Sequence, residues 1–82
     1  MRMAELYEMR TSGNVEGLLT AIYDENEYIR SAAADALVGY PELKVKDTLG
    51  RVKFDDPVLR VREAATRAHL MVVQATRIEK KE

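Results

Sequence analysis

The chain has 82 residues, a formal net charge of −1 and no cysteine or tryptophan; apolar residues make up 46% of it and charged residues 33%. This length allows one domain at most, the apolar share excludes a disordered chain, and the absence of cysteine excludes disulfides and thiolate metal sites. No apolar run approaches the ~20 residues that span a bilayer, and the N-terminal segment lacks the apolar centre of a signal peptide, so we expect a cytoplasmic protein with no membrane contact.

Apolar residues recur at helical spacing along most of the chain, so the sequence predicts five helices. The first helix ends at "TSGN", where Gly13 suits a left-handed C-terminal turn. Ser12 or Asn14 can then cap the second helix. The second helix carries an apolar stripe at the spacing i, i+3, i+4, i+7, formed by Val15, Leu18, Leu19 and Ile22.

The third helix opens at "DENE", where Asp24 or Asn26 can act as the N-cap and the acidic residues favour a helix N-terminus. It stops at Gly39 and Pro41. Alanines are concentrated in this helix, and small side chains suit a helix that neighbouring helices approach closely. Its predicted inward residues are Ile29, Ala32, Ala33, Ala36 and Leu37.

The fourth helix is expected over about 42–53. Its inward residues are Val45, Leu49 and Val52. The fifth helix opens at "DDP", where Asp55 or Asp56 can cap it and Pro57 fits the first turn because its missing N–H is not needed there. This last helix should continue to about residue 78, which makes it longer than the others.

Two segments of the chain match each other without a gap: "DENEYIRSAAADALV" (24–38) and "DPVLRVREAATRAHL" (56–70). The offset is 32 residues throughout, and the preceding helices match at an offset of 30. The sequence therefore predicts two copies of a helical hairpin that follow one single helix. The matched residues are Asp24 with Asp56, Ile29 with Val61, Arg30 with Arg62, and Ala32, Ala33 and Ala36 with Ala64, Ala65 and Ala68.

This pattern resembles the HEAT repeat, in the short HEAT-like form that is also seen in phycobilin lyase subunits, and the resemblance covers about residues 14–72. "ALVGY" stands where that family has Ala-Leu-Gly, whereas His69 replaces the leucine found at Leu37 in the first copy. The resemblance implies an all-α fold, namely a short right-handed α-solenoid of about two and a half hairpins. It divides a single domain, residues 1–82, into a capping helix (1–11), a first repeat (14–39) and a second repeat with an extended last helix (42–79).

The resemblance also implies roles for individual residues. In this family the aspartate before the second helix and the arginine within it bond between neighbouring repeats, which would make four residues structural: Asp24, Arg30, Asp56 and Arg62. The exposed side of the third and fifth helices lines the inner, ligand-facing curve in this family. That side gives six candidates for partner binding: Tyr28, Ser31, Asp35, Arg60, Glu63 and Arg67.

The fifth helix carries an apolar run at 70–73 that wraps round more than one of its faces. Leu70 and Val73 lack an evident partner within the chain, and exposed apolar patches commonly mark interfaces. We therefore predict self-association, or contact with a stable partner, around Leu70, Val73 and Arg77. The alternative is that the first helix or the chain end folds back over these residues.

The sequence offers little catalytic chemistry. His69 is the only histidine, which excludes a multi-histidine metal site, and no local motif joins it to a serine and an orienting acid. The glycines form no phosphate-binding cluster, and the acidic groups "DENE" and "DD" are placed as helix caps. We therefore predict no catalytic, cofactor-binding or metal-binding residues, and we expect His69 to be a partly buried packing residue.

The function that we expect is a small HEAT-repeat scaffold that mediates protein–protein interaction and has no catalytic activity of its own. One alternative is a nucleic-acid-binding accessory protein that uses the basic C-terminal half, where residues 42–82 hold ten basic and seven acidic residues. Those acidic residues interrupt the basic set, which argues against a nucleic-acid partner. The other alternative is a small subunit of an enzyme such as a chromophore lyase.

Overall fold

The computed structural model describes the backbone of residues 1–80 and the side chains of residues 1–77. The described residues form five α-helices and no strand, which confirms the predicted all-α class. The helices are α1 (Met3–Ser12), α2 (Val15–Ala21), α3 (Glu27–Leu37), α4 (Leu43–Asp55) and α5 (Leu59–Lys80). None of these five is long and apolar enough to cross a membrane. Residues 81 and 82 of the predicted domain lie outside the described part of the chain.

Polar caps set the first helix boundaries. Gly13 ends α1 in the left-handed region, with φ at 74°, as the sequence predicts. Asn14 caps α2 by accepting a hydrogen bond from the Gly17 N–H at 2.9 Å. Asn26 caps α3 by accepting from the Tyr28 N–H at 2.8 Å. The sequence left two N-cap candidates open for each of these helices, Ser12 or Asn14 for α2 and Asp24 or Asn26 for α3. In the structure the asparagine is the N-cap of both helices.

The start of α5 differs from the prediction. Pro57 was expected in the first helical turn, but α5 begins at Leu59 and Pro57 lies in the turn before it. Asp56 is extended, with ψ at 134°, as the residue before a proline prefers. Its carboxylate accepts from the Val58 N–H at 2.9 Å. This side-chain turn occupies the residues that the prediction assigned to the helix, and Asp55 instead ends α4.

One hydrophobic core joins all five helices. The last helix, α5, packs against both α3 and α4, while α2 packs against α3, and α1 packs against α2 and α3. This arrangement places α3 and α5 side by side at the centre of the molecule. The largest fully buried side chains are Leu18, Ile22, Leu37, Leu49, Val45, Val61 and Val72.

Buried alanines are concentrated in α3 and α5, the two helices that pack side by side. Ala33, Ala34 and Ala65 are completely buried, and their small side chains let the two helices approach closely. Ala34 was not among the predicted inward residues, whereas Ala32, which was, is only half-buried. The reason is that α5 lies on the side of α3 that carries Arg30 and Ala34, one helical turn apart.

Adding volume at these alanines should destabilise the fold. We expect Ala33→Leu or Ala65→Leu to lower the free energy of unfolding by ~1–3 kcal/mol, because a leucine would overpack a site with no exposed surface. Urea unfolding followed by circular dichroism measures this change. Ala4→Leu, at an exposed position of α1, is the control and should stay within ~0.5 kcal/mol of the wild type. Wild-type unfolding of both core variants would contradict the close packing described here.

Candidate interaction surfaces

A nearly buried ion pair ties the two helical hairpins together. The Nε of Arg30 donates to Oδ2 of Asp56 at 2.8 Å, and Nη2 donates to Oδ1 at 3.2 Å. The two side chains are only 12% and 7% exposed. Nη1 of Arg30 donates to the backbone carbonyls of Asp24 and Glu25 at 2.8 and 3.1 Å. The guanidinium therefore joins the α2–α3 turn to the α4–α5 turn through a bidentate contact.

The same backbone contacts recur 32 residues later. Nη1 of Arg62 donates to the Asp56 carbonyl at 2.8 Å, as Nη1 of Arg30 does to the Asp24 carbonyl. The Asp24 carboxylate accepts from the Asn26 N–H at 3.0 Å, as the Asp56 carboxylate does from the Val58 N–H. The two turns thus share one geometry.

The four residues predicted to be structural have different side-chain partners. The structure brings the side chains of Arg30 and Asp56 together. The Asp24 carboxylate lies 3.4 Å from the amino group of Met1, and the Asn26 N–H bonded to it holds the pKa of Asp24 below its usual value. Within the described residues, Nε and Nη2 of Arg62 have no hydrogen-bond acceptor. Arg62 therefore repeats the backbone contact of Arg30 but not its carboxylate contact.

The predicted partner-binding residues lie along the exposed sides of α3 and α5, which we call the ridge surface: Tyr28, Ser31, Asp35, Arg60, Glu63 and Arg67. The guanidinium of Arg60 stacks on the Tyr28 ring at 4.6 Å from the ring centre and donates to Glu27 at 3.2 Å. A second cross-helix pair joins Arg67 to Asp35 at 4.0 Å. Both pairs link α3 to α5, so most of the ridge is already ordered within the molecule.

The remaining ridge residues are less constrained by neighbours. The hydroxyl of Ser31 donates to the Tyr28 carbonyl at 3.3 Å, and Glu63 is exposed. Tyr7 of α1, which is 64% exposed, lines a groove of about 240 Å³ that also includes Asp35. The sequence did not point to Tyr7. The first helix has no marked amphipathic pattern, so the position of Tyr7 next to Leu6 did not indicate that it would line a groove.

A second surface, which we call the outer face, lies on the side of the α4–α5 hairpin away from α3. On α5 it is a single stripe at i, i+3, i+7, i+11, i+14 and i+18, formed by Leu59, Arg62, Thr66, Leu70, Val73 and Arg77. On α4 it is the stripe of Leu43, Lys46, Gly50 and Phe54. Contacts of Gly50 with His69, and a groove of about 630 Å³ lined by residues of both stripes, show that the stripes adjoin.

The outer face exposes large apolar side chains. Leu43 is 68% exposed, Phe54 76%, Leu59 59% and Leu70 57%. Val73 and Arg77, which were predicted as self-association residues with Leu70, line the groove with Leu43. The first helix packs on α2 and α3 and leaves Leu70 exposed, so the alternative in which α1 covers this residue is wrong. Leu43 and Phe54 were not predicted as surface candidates, although both lie off the inward stripe of α4.

His69 is half-buried between α5 and α4. Its ring packs against Gly50, where an added Cβ would come within 3.3 Å of Nε2. Its Nδ1 lies 3.1 Å from the ammonium of Lys53. Burial, followed by the positive charges of Lys53 and Lys46, lowers the pKa of His69 below its ordinary value. Both effects favour the neutral form of the imidazole.

The basic residues of the C-terminal half do not form one patch. Lys44 is bonded to Glu16, while Arg60 and Arg67 face the carboxylates of α3 already described. Within the described residues, no three side chains of metal-ligating type come together. Comparison with protein-family models, with curated proteins and with solved structures gives no match for this chain. What the surfaces do must therefore be inferred from their residues.

Breaking the ion pair between the hairpins should cost far more than breaking a pair on the ridge surface. We expect Arg30→Met to lower the free energy of unfolding by about 3 kcal/mol, because it leaves the Asp56 carboxylate buried without its counter-ion. Arg60→Met removes an exposed pair of the same two helices and should cost less than about 1 kcal/mol. Urea unfolding of both variants makes the comparison. Equal losses in the two would contradict the structural role of the bridge.

The titration of His69 should depend on Lys53. In NMR spectra the pKa of the wild-type imidazole should lie below about 6.5, and Lys53→Met should raise it, whereas Lys44→Met, on the far side of α4, should not. Because the unfolded chain binds this proton more tightly than the native chain does, His69 lowers stability as the pH falls below about 6.5. A wild-type pKa at or above that value would contradict the partial burial of the ring and its position beside Lys53.

Proposed function

We propose that the chain is a short right-handed α-solenoid of HEAT-like hairpins, and that it serves as a scaffold for protein–protein interaction without catalytic activity of its own. The observation that carries this proposal is the recurrence of one turn geometry at an offset of 32 residues, with Arg30 of the first hairpin holding Asp56 of the second. Stacked hairpins of this kind make one continuous core and an extended surface. The proposed parts remain a cap (1–11) and two repeats (14–39 and 42–79).

The ridge surface has the properties of a binding surface. Tyrosine and arginine carry much of the energy of protein interfaces, and Tyr28 and Arg60 stack on each other in the free molecule. Arg67 faces Asp35 across the same two helices as an exposed ion pair at 4.0 Å. Side chains that are already ordered lose less entropy when a partner binds. The ridge is therefore the surface that we propose for the scaffold's partner.

The other two functions have less support. A nucleic-acid partner requires a sustained basic face, but Lys44, Arg60 and Arg67 are paired with carboxylates. An enzyme subunit requires polar groups that converge on a substrate. The cleft of about 330 Å³ beside the hairpin junction is lined by Arg30 and by the carboxylates of Asp24, Glu25, Asp55 and Asp56. Of these groups, Arg30 and Asp56 bond each other, and Asp24 accepts from the Asn26 N–H.

The scaffold proposal is tested by affinity capture from the native cells with matched tyrosine variants. The tagged wild-type chain and the Tyr23→Ala variant should retain one partner protein, and Tyr28→Ala should lose at least nine tenths of it. Both tyrosines are exposed, at 63% and 57%, so the comparison isolates the ridge. Circular dichroism verifies that each variant is folded. Recovery of no protein above the tag alone, or equal recovery with Tyr28→Ala, would count against the proposal.

A further inference from the structure

The two ends of the helical stack differ in character. At one end, α1 directs Leu6 into the core and exposes mostly small, polar and charged side chains, together with Met3 and Tyr7. At the other end, the outer face exposes Leu43, Phe54, Leu59 and Leu70. A polar terminal helix is what closes a stack of hairpins. The outer face is therefore the more apolar of the two ends, and the residues that the structure describes leave it uncovered.

The charged residues within the two stripes of the outer face are all basic, although Glu42 also lines the groove between them. The two stripes hold ten positions, of which Lys46, Arg62 and Arg77 are basic and none is acidic. Lys46 and Arg77 flank the groove that contains Leu43 and Val73. Arg62 lies eight residues before Leu70, which is about 12 Å along the helix axis. Basic groups thus stand on both sides of an apolar strip.

Arg62 has the geometry of a carboxylate-binding residue. In Arg30, Nη1 is fixed by the Asp24 carbonyl, and Nε and Nη2 then hold the Asp56 carboxylate. In Arg62, Nη1 is fixed by the Asp56 carbonyl at the same 2.8 Å. The remaining two nitrogens, which hold a carboxylate in Arg30, have no acceptor among the described residues in Arg62.

A second copy of this chain fits the outer face poorly. Two outer faces brought together would oppose Lys46, Arg62 and Arg77 with the same charges, and like charges that meet at an interface cost several kcal/mol. The outer side of α1 in a second copy exposes Met3 and Tyr7, but its charges are mixed, since Arg10 is exposed together with Glu5 and Glu8.

We propose that the outer face binds an acidic amphipathic helix of another protein. Its apolar stripe covers Leu43, Leu70 and Val73, and a carboxylate at one end bonds to Nε and Nη2 of Arg62. A second carboxylate meets Arg77 and Lys46, and since Arg62 and Arg77 are fifteen residues apart, the two carboxylates are separated by about 22 Å. The inference rests on the proposed function only because both assume that the chain binds proteins. The binding surface here is the outer face, whereas the proposed function uses the ridge surface.

The experiment uses a fluorescein-labelled synthetic helix with a leucine stripe between two glutamates about 22 Å apart. Two matched probes carry glutamine or lysine in place of the glutamates. Fluorescence anisotropy measures their binding to the full chain. We expect the glutamate probe to bind, Arg62→Gln and Arg77→Gln each to weaken it about tenfold, and Leu70→Glu to abolish binding. Arg67→Gln, on the ridge side of the same helix, is the control and should bind the probe as the wild type does.

The glutamine probe separates a carboxylate contact from apolar adhesion. It should bind the wild type more weakly than the glutamate probe does, and Arg62→Gln should not weaken it further. Absence of binding by the glutamate probe, equal binding of the lysine probe, or no effect of the folded Arg62→Gln and Arg77→Gln variants would overturn the proposal. So would sedimentation of the wild type as a dimer that Leu70→Glu converts to a monomer, because the occupant would then be a second copy, as the self-association prediction has it.

The outcomes also separate this proposal from the scaffold function on the ridge surface. Tyr28→Ala should leave binding of the glutamate probe unchanged, since Tyr28 lies on the ridge surface. Loss of probe binding together with intact capture by the wild type would overturn the outer-face proposal alone. Intact probe binding without any Tyr28-dependent capture would overturn the ridge proposal alone.

Discussion

The contact between Arg30 and Asp56 is the constraint on which the rest of the molecule depends. The interface between α3 and α5 is rich in alanine, and alanine buries little apolar area, so the ion pair adds a directed contact where apolar burial is limited. A nearly buried charge is tolerable only when its hydrogen bonds are complete. Here Nε, Nη1 and Nη2 of Arg30 all have acceptors, and the Asp56 carboxylate also accepts from the Val58 N–H. The pair thereby fixes the register of the second hairpin on the first.

Both candidate surfaces follow from that register. Because Ala33, Ala34 and Ala65 let α3 and α5 lie close together, side chains on their exposed edges can meet, and this is why Arg60 reaches Tyr28 and Glu27. The same packing turns the opposite side of α5 away from every other hairpin of the chain. The ridge surface is ordered and mostly charge-paired, whereas the outer face is apolar and basic, so the two suit partners of different chemistry.

Features that recur along the chain could be predicted from the sequence. The start of a helix could not be predicted where more than one side chain can accept a hydrogen bond from the same turn. The five helices follow from apolar spacing, whereas the structural roles of Arg30 and Asp56 were implied only by the resemblance to the HEAT repeat. The choice of Asn26 over Asp24 as cap was open because both side chains can accept a backbone N–H, and only the backbone conformation decides between them. Pro57 was wrongly predicted to lie in the first turn of α5, because the Asp56 carboxylate accepts from the Val58 N–H and forms a separate turn before the helix. Tyr7 could not be predicted, since its exposure depends on how α1 lies against α3.

The residues that differ between the two copies indicate what the outer face does not bind. Ala34 and Leu37 are fully buried where the second hairpin covers the first, and their counterparts are Thr66 and His69. A further hairpin of the same kind would meet the Thr66 hydroxyl, which donates to the Arg62 carbonyl, and the His69 imidazole, which lies against Lys53, where the first hairpin offers only apolar side chains. Arg62, however, repeats the contact of Arg30 Nη1 with the backbone carbonyl of the preceding turn. Loss of the stacking residues with retention of the carboxylate-binding arginine is consistent with an occupant that is acidic and helical but is not another repeat.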